Sequence, residues 1–499
     1  MGKPTQGPAA NAAPTSPATT RALTIRDLPG PPGVPLLGNL PEFVRGGVPH
    51  RVLHAWCDRY GPTFRVKLAT GQAIATADAK VINTILRERP DGFRRDSRMA
   101  NILDELGGHG VFSAEGPRWR RLRRMAIQSL NAAYLREYFT TIARATERLK
   151  RLWLAAAVAG ERVAPLRDLK RYTLDVTVGL AMGHDLNAVE QRGDGLHSRI
   201  SLIFPEIARR ITAPVPYWRV LRLPRDRRLD ATVREIGDLV HDRFADAKRR
   251  MATGAPPTNF LEALVAPIEG EEAFTQRELL GNVLTMLLAG EDTTSSTAAW
   301  AVHYLAEHPE VQHRVRVEAD EVLGDDEFAP DPATVGRLRY AEAVVNEATR
   351  LRPVAPFLFL QSLQDVVISG TARDLQVGRG TPIIALLVYG ADRDTRRFPD
   401  PQAFRPERWL DDKTAAGPDT QPFLPFGAGP RFCPGRNLAM LEATLLTSMV
   451  CRNFDLESDT AAGPVGERMD FTMSPKNLRI RLRPRKVPPA AGTPRATTQ

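Results

Sequence analysis

Apolar residues recur at three- and four-residue spacing along most of this chain, a pattern that predicts a mainly α protein with a smaller β part. Residues 117–156 interleave Arg and Glu with apolar positions on one helical face, and 229–251, 276–308, 309–323 and 336–350 repeat that period. The 276–308 segment differs from the others. Its middle, Val283 to Ala289, is apolar nearly all round, so this helix is expected at the centre of the molecule. Short β-rich runs at 64–68 and 73–76 predict a small early sheet, and 366–368 and 382–388 predict later strands. After residue 390, Pro, Asp, Arg and Gly crowd together up to the last helix. Irregular chain of that length inside a compact domain usually carries function.

The tails lack any such pattern. Residues 1–27 are expected to be disordered, 28–482 to form one folded domain, and 483–499 to be a flexible tail. The stiff segment Leu28-Pro29-Gly30-Pro31-Pro32-Gly33 opens the domain. A hydrophobic content of 42% and a charged content of 25% suit a soluble protein with a sizeable core. No apolar run approaches the roughly 18 residues that span a bilayer, and the N-terminus lacks the apolar core of a signal peptide, so no membrane span is expected. The 3 cysteines are too few and too scattered for a disulfide framework or a zinc site. A cytoplasmic location follows as the expectation. The net charge of +10 calls for an acidic partner, but no nucleic-acid-binding module accompanies it.

The irregular stretch ends Phe426-Gly427-Ala428-Gly429-Pro430-Arg431-Phe432-Cys433-Pro434-Gly435. Gly427 and Gly429 permit positive φ, so the chain can turn tightly beneath a flat ligand. A cysteine in such a loop can present a thiolate with backbone N–H groups aimed at sulfur, an arrangement that holds and tunes a haem iron. Arg431 is well placed for a haem propionate, because a planar guanidinium grips a carboxylate with two bonds. Pro434 suits the first turn of the following helix, whose positive end favours a thiolate at Cys433. The competing reading is an inert buried cysteine beside a Gly/Pro turn. The fixed register of Phe, two Gly, Arg, Cys and Gly weighs against it. At every defined position the loop resembles the haem loop of the cytochrome P-450 superfamily, F-x-x-G-x-R-x-C-x-G.

Other segments resemble that family's motifs in the same order. Glu347-Ala348-Thr349-Arg350 resembles E-x-x-R, with both charges on one helical face. Pro406-Glu407-Arg408-Trp409 resembles P-E-R-F with Trp in place of Phe, and the resemblance implies a structural lock of Glu347, Arg350 and Arg408 behind the cysteine loop. Trp119 and Arg123 fit W-x-x-x-R on a helix and would reach the propionates. Ala289-Gly290-Glu291-Asp292-Thr293-Thr294 matches [A/G]-G-x-[D/E]-T-[T/S] inside the central helix, where these residues contradict helix propensity. By resemblance, Gly290 opens a groove for dioxygen, Thr293 donates a hydrogen bond to bound oxygen, and Asp292 relays protons. The bland alternative is that the threonines bond back to carbonyls of the preceding turn.

The resemblance implies a P-450 fold with its long central helix over the haem. It also implies haem b ligated at the metal by Cys433 and bound by Arg431, Phe426, Gly427, Gly435, Trp119 and Arg123. Val111, Phe112, Leu287, Ala289, Ala355 and Met473 are expected to line an apolar substrate pocket, with Phe112 as gate. Thr472 is a weaker candidate. The expected activity is insertion of one oxygen atom of dioxygen into a small lipophilic molecule. Electrons would come from a ferredoxin- or flavodoxin-type donor and its reductase, attracted by Arg118, Arg120, Arg121 and Arg124. The spacing after Glu347 looks most like the soluble bacterial fatty-acid-hydroxylase branch, without a fused reductase. A peroxide-driven or isomerising haem-thiolate enzyme, a haem carrier and a basic nucleic-acid binder are the alternatives.

Overall fold

Thr275 starts the longest helix with a reciprocal cap: its hydroxyl accepts from the Glu278 N–H at 3.3 Å while its own N–H donates to Glu278 Oε2 at 2.9 Å. The helix runs Gln276–Glu307 and stops where Pro309, the first residue of the next helix, forbids continuation. In this computed structural model, residues 21–68, 71–108, 110–191, 200, 202–213, 215–266, 274–395, 398–410 and 423–485 are described. The central helix is buried along most of its length, with Val283, Leu287, Ala299, Trp300 and Leu305 facing neighbours on all sides.

Its closest neighbour is the Pro165–Met182 helix, itself buried nearly all round. The approach is very tight at Gly290, where an added Cβ would lie 2.3 Å from Thr177 Cγ2. One turn away, Thr173 Oγ1 donates to the Glu291 carbonyl at 3.0 Å. Gly290 therefore has a packing reason to be glycine, independent of any groove for dioxygen. The helix is continuous through it.

Several sequence expectations shift at this level. The 117–156 segment is two helices, Gly116–Gln128 and Ala132–Val158, separated where Asn131 turns its side chain back to cap Tyr134 N at 2.9 Å. The helix expected over 229–251 begins earlier, at Pro224. The tail boundaries also move. Leu23 N donates to Asp374 O and Gln376 N donates to Leu23 O, both at 2.8 Å, so residues 21–27 are pinned to the domain and the expected disorder does not extend to them. At the other end, Ile480–Pro484 is a strand and Arg485 N bonds Asn453 O at 2.9 Å, which carries the ordered chain past 482. Residues 1–20 and 486–499 lie outside the described residues.

The β part is small. Thr63–Leu68 and Gly71–Thr76 form a hairpin with Phe64 opposite Ala75. Pro382–Leu386 adds in parallel, then Phe357–Ser362 and Phe93–Arg95 add antiparallel, giving a five-stranded sheet. A second hairpin, Gly466–Met469 with Met473–Lys476, stands beside the central helix.

Gly290→Ala gains helix propensity of about 1 kcal/mol but forces two helices apart, at a cost of about 1–3 kcal/mol. We expect a lower denaturation midpoint for Gly290→Ala and recovery in Gly290→Ala/Thr177→Ala, where the clashing methyl is gone. Equal midpoints for the single and double variants would contradict the packing role.

Candidate active site

The cysteine loop is a turn folded onto a neighbouring helix. Gly427 and Gly429 hold φ of 71° and 67°, and a Cβ on Gly429 would lie 2.3 Å from the Leu86 carbonyl, so that position admits only glycine. Cys433 N closes the turn on Phe426 O at 2.9 Å. Gly435 caps the last helix, Arg436–Asn453, which leaves Pro434 just outside it instead of in its first turn. Burial pushes the Cys433 thiol up, while the N–H groups of Gly435 and Arg436 and the Arg123 guanidinium pull it down. The other cysteines lack this environment. Cys57 and Cys451 are buried, and burial raises them to about 11 and about 12. Only Cys433 is partly accessible.

Beside this loop lies an unexpected excess of positive charge. Trp119 is buried on the Gly116–Gln128 helix, with Arg431 stacked 4.5 Å from its ring centroid. Arg431 Nη2 donates to Ala114 O at 2.6 Å and to Glu115, and Arg123 donates to Phe432 O. Arg89 and Arg95 are buried in the same cluster; Arg95 lies 3.5 Å over the Phe112 ring. Burial lowers both Arg89 and Arg431 to about 10. Three guanidiniums, Arg89, Arg95 and Arg431, thus face Glu115 as the one carboxylate of the cluster among the described residues, and Arg123 stands beside them next to Cys433. Arg89 Nε and Nη2, Arg123 Nε and Arg431 Nε are buried without a partner. Buried charge left uncompensated is costly, so the cluster is built for an added anion. A group bearing two carboxylates, as haem does, fits. Arg89, Arg95 and Glu115 were not marked by sequence reasoning, because no motif spacing singles them out and only the fold gathers them.

Behind the loop, Glu347 and Arg350 are buried at 0% and 1% exposure. Arg350 grips Glu347 with Nε at 2.8 Å and Nη2 at 2.7 Å, and Arg408 Nε reaches it at 2.9 Å. Arg350 also donates to the carbonyls of Ala391, Pro401 and Ala403, so the irregular chain is strung on its guanidinium. Trp409, standing where Phe was expected, donates its indole N–H to Glu347 Oε2 at 2.8 Å. Phe426 packs on the cluster of Val345, Met440 and Ala443, and Val345, on the same helix as Glu347, joins this network to the cysteine loop.

On the central helix, Thr293 Oγ1 donates to Ala289 O at 2.6 Å, the back-bonded arrangement weighed as the bland alternative. Asp292 does not meet Thr293 among the described residues. Its Oδ1 lies 2.5 Å from Lys170 Nζ and its Oδ2 accepts from Thr472. Glu291 is fully buried with Oε2 unpartnered.

A cavity of about 1170 Å³ opens beside these residues. Phe112, Ala289, Thr293, Ala355 and Thr472 line it. Leu287 and Met473 do not: at 1% and 0% exposure they belong to the packed core, with Met473 N tied to Val354 O at 2.9 Å. Val111 also lies behind the wall, its N–H on Asn282 Oδ1 at 3.0 Å. Of the basic residues on the Gly116–Gln128 helix, Arg118 pairs with Glu278, Arg120 with Asp91, and Arg121 covers Phe274. Part of that positive surface is therefore spent within the chain.

Removing the indole N–H with Trp409→Phe leaves a buried acceptor short of a donor, and we expect a loss of about 1–3 kcal/mol in unfolding free energy by denaturant titration. Glu291 tests differently. Burial raises its carboxyl from 4.5 to about 8, with Asp292 adding and Lys170 opposing. The folded chain keeps a proton that the unfolded chain releases, so stability falls as pH rises from 4.5 to about 8. Glu291→Gln is expected to flatten that fall. Parallel profiles for variant and parent would show that Glu291 is ionised in the folded state.

A family model for cytochrome P450 matches residues 28–482. The chain is 27% identical over 422 residues to the chloroplastic protein LUTEIN DEFICIENT 5 of Arabidopsis thaliana, covering 81% of this chain and 69% of that protein. It is 28% identical over 487 residues to the mitochondrial 25-hydroxyvitamin D-1 alpha hydroxylase of Homo sapiens, covering 91% of each. Against a self-sufficient cytochrome P450 monooxygenase of Phanerodontia chrysosporium the identity is 25%, over 93% of this chain and 43% of the longer protein. The match runs through the Cys433 loop, the Glu347–Arg350 helix and the central helix alike, and the chain belongs to the cytochrome P450 family of monooxygenases, which use haem held by a cysteine thiolate.

Proposed function

We propose that Cys433 is the haem ligand and that the enzyme inserts one oxygen atom of dioxygen into a small lipophilic molecule, with electrons from a separate donor. The observation that carries this reading is the environment of Cys433, a partly accessible residue whose sulfur meets two backbone N–H groups, where the other cysteines are buried. Arg89, Arg95, Arg123 and Arg431 would hold the propionates, and Trp119 would wall them. Bound there, haem supplies the reductive activation of dioxygen, and a thiolate ligand favours cleavage of the O–O bond.

The chain's own contribution is orientation and proton supply. The cavity is walled largely by apolar side chains, which suits a lipophilic substrate and excludes water. Phe112 stands at its edge, fixed by Arg95 Nε on the Phe112 carbonyl at 3.2 Å. Thr293 can release Ala289 O to donate into the cavity, and Asp292 holds a carboxylate within one turn of it. A ferredoxin or flavodoxin is the donor we favour, docking on the basic face of the Gly116–Gln128 helix. No helix of the described residues is long and apolar enough to cross a membrane. Buried, unpaired Cys57 and Cys451 favour a reducing compartment such as the cytoplasm. The finer likeness to soluble bacterial fatty-acid hydroxylases does not extend to the relatives above, which come from a plant, a human and a fungus.

Turnover under labelled dioxygen with a reduced ferredoxin tests the reaction class. One labelled oxygen atom is expected in the product, with rates falling as salt screens the docking charges. Product with peroxide alone and none with the donor would transfer the chain to the peroxide-driven class.

A further inference from the structure

Two hydroxyls on the cavity wall could serve Asp292, and they are not equivalent. Thr293 is its neighbour in sequence, yet the Thr293 hydroxyl donates to Ala289 O and not to Asp292. Thr472, far away in sequence, lines the same cavity and donates its hydroxyl to Asp292 Oδ2. The other carboxylate oxygen, Oδ1, meets Lys170 Nζ at 2.5 Å. The Lys170 side chain keeps 19% exposure, whereas that of Asp292 has 6%. The three side chains therefore form a single file: Lys170 on the more exposed side, the Asp292 carboxyl inside the protein, and Thr472 on the cavity wall.

The surroundings hold the file in place. Thr472 sits in the turn of the Gly466–Met469/Met473–Lys476 hairpin, and Met473 N anchors that turn to Val354 O at 2.9 Å. Phe471 stacks on Phe204 at 5.1 Å and approaches Phe112 at 6.0 Å, which fixes the other flank. Lys170 comes from the Pro165–Met182 helix, held against the central helix by the Gly290–Thr177 contact. The charged groups facing Lys170 are Asp292, Glu291 and Arg468; burial works against its charge, but the two acids raise it above its ordinary value. Of the two acids, Asp292 is the one that touches the ammonium, while burial raises the Glu291 carboxyl to about 8.

We infer that Thr472 is the hydroxyl through which Asp292 passes protons into the cavity, with Lys170 as the solvent-side member of the file. This rests on the monooxygenase reading, because reduction of dioxygen is what consumes protons there. A proton leaves Lys170 Nζ for Asp292 Oδ1, the protonated carboxyl turns to present that oxygen to Thr472 and hands the proton to Oγ1, and Thr472 releases its original hydroxyl proton into the cavity. Asp292 returns to carboxylate, Thr472 to hydroxyl, and water reprotonates Lys170. The hydroxyl rotates between accepting and donating, which a threonine does and a valine cannot.

The test uses the haem-loaded full chain with Thr472→Val, which keeps the shape, and Thr472→Ser, which keeps the hydroxyl. In Thr472→Val we expect product formation to fall at least about tenfold, electrons to be diverted to hydrogen peroxide, and the solvent isotope effect to rise. Substrate affinity and the carbon monoxide spectrum should stay as in the parent. Thr472→Ser should restore coupling, and Lys170→Met should lose it. Independently of turnover, the infrared carboxylate band assigned through Asp292→Asn should move in Thr472→Val and not in Thr472→Ser. Coupled turnover at the parent rate in Thr472→Val would overturn the inference, as would an unmoved Asp292 band. Absence of any dioxygen-dependent product in the parent itself would instead count against the monooxygenase reading.

Discussion

The Glu347 carboxyl lies at 0% exposure, and the chain around it is organised to make that tolerable. A lone carboxylate at that depth would be neutralised or expelled, so the fold must bring Arg350, Arg408 and the Trp409 indole to it together. The same guanidinium that satisfies Glu347 also collects the carbonyls of Ala391, Pro401 and Ala403. Chain with no regular structure of its own thereby acquires a fixed path, and that path leads to the loop of Cys433. Such a network is weak evidence for net stability. Its value lies in position, because a thiolate must be held within a fraction of an ångström to ligate a metal.

The site in front of the network has the opposite character. There the chain gathers three guanidiniums around one carboxylate, with Arg123 alongside, and leaves several of their N–H groups without partners. These two regions define a division of labour. The Glu347 cluster is complete in itself, whereas the Arg89–Arg95–Arg123–Arg431 cluster is complete only with an anionic guest. Binding of that guest is thus coupled to the stability of the helix bearing Trp119 and of the cysteine loop, both of which supply the arginines.

What could be read from the sequence follows from the range of the interactions. The Cys433 loop was legible because its glycines answer a local backbone demand, and Gly427 and Gly429 do adopt positive φ. The Glu347–Arg350 pair was legible because helical spacing alone puts both side chains on one face. The central helix was legible from an apolar run too long for a strand. Contacts made across the fold were not. Nothing near Lys170 or Thr472 marks either as a partner of Asp292, and nothing near Arg89 marks it as part of the anion site. The family resemblance implied Leu287 and Met473 as pocket residues, yet each is packed in the core. The Asp292–Thr293 pair shows the limit most sharply: adjacent residues on a helix point in different directions, so adjacency made them a motif but not a contact.

Every role assigned to the site depends on the iron ligand, and carbon monoxide binding to the reduced protein reads that ligand directly. The parent should give the red-shifted Soret band of thiolate ligation, and so should Cys57→Ser and Cys451→Ser. Cys433→Ser should give none. A red-shifted band that survives in Cys433→Ser, or is missing from the haem-loaded parent, would contradict the assignment of Cys433.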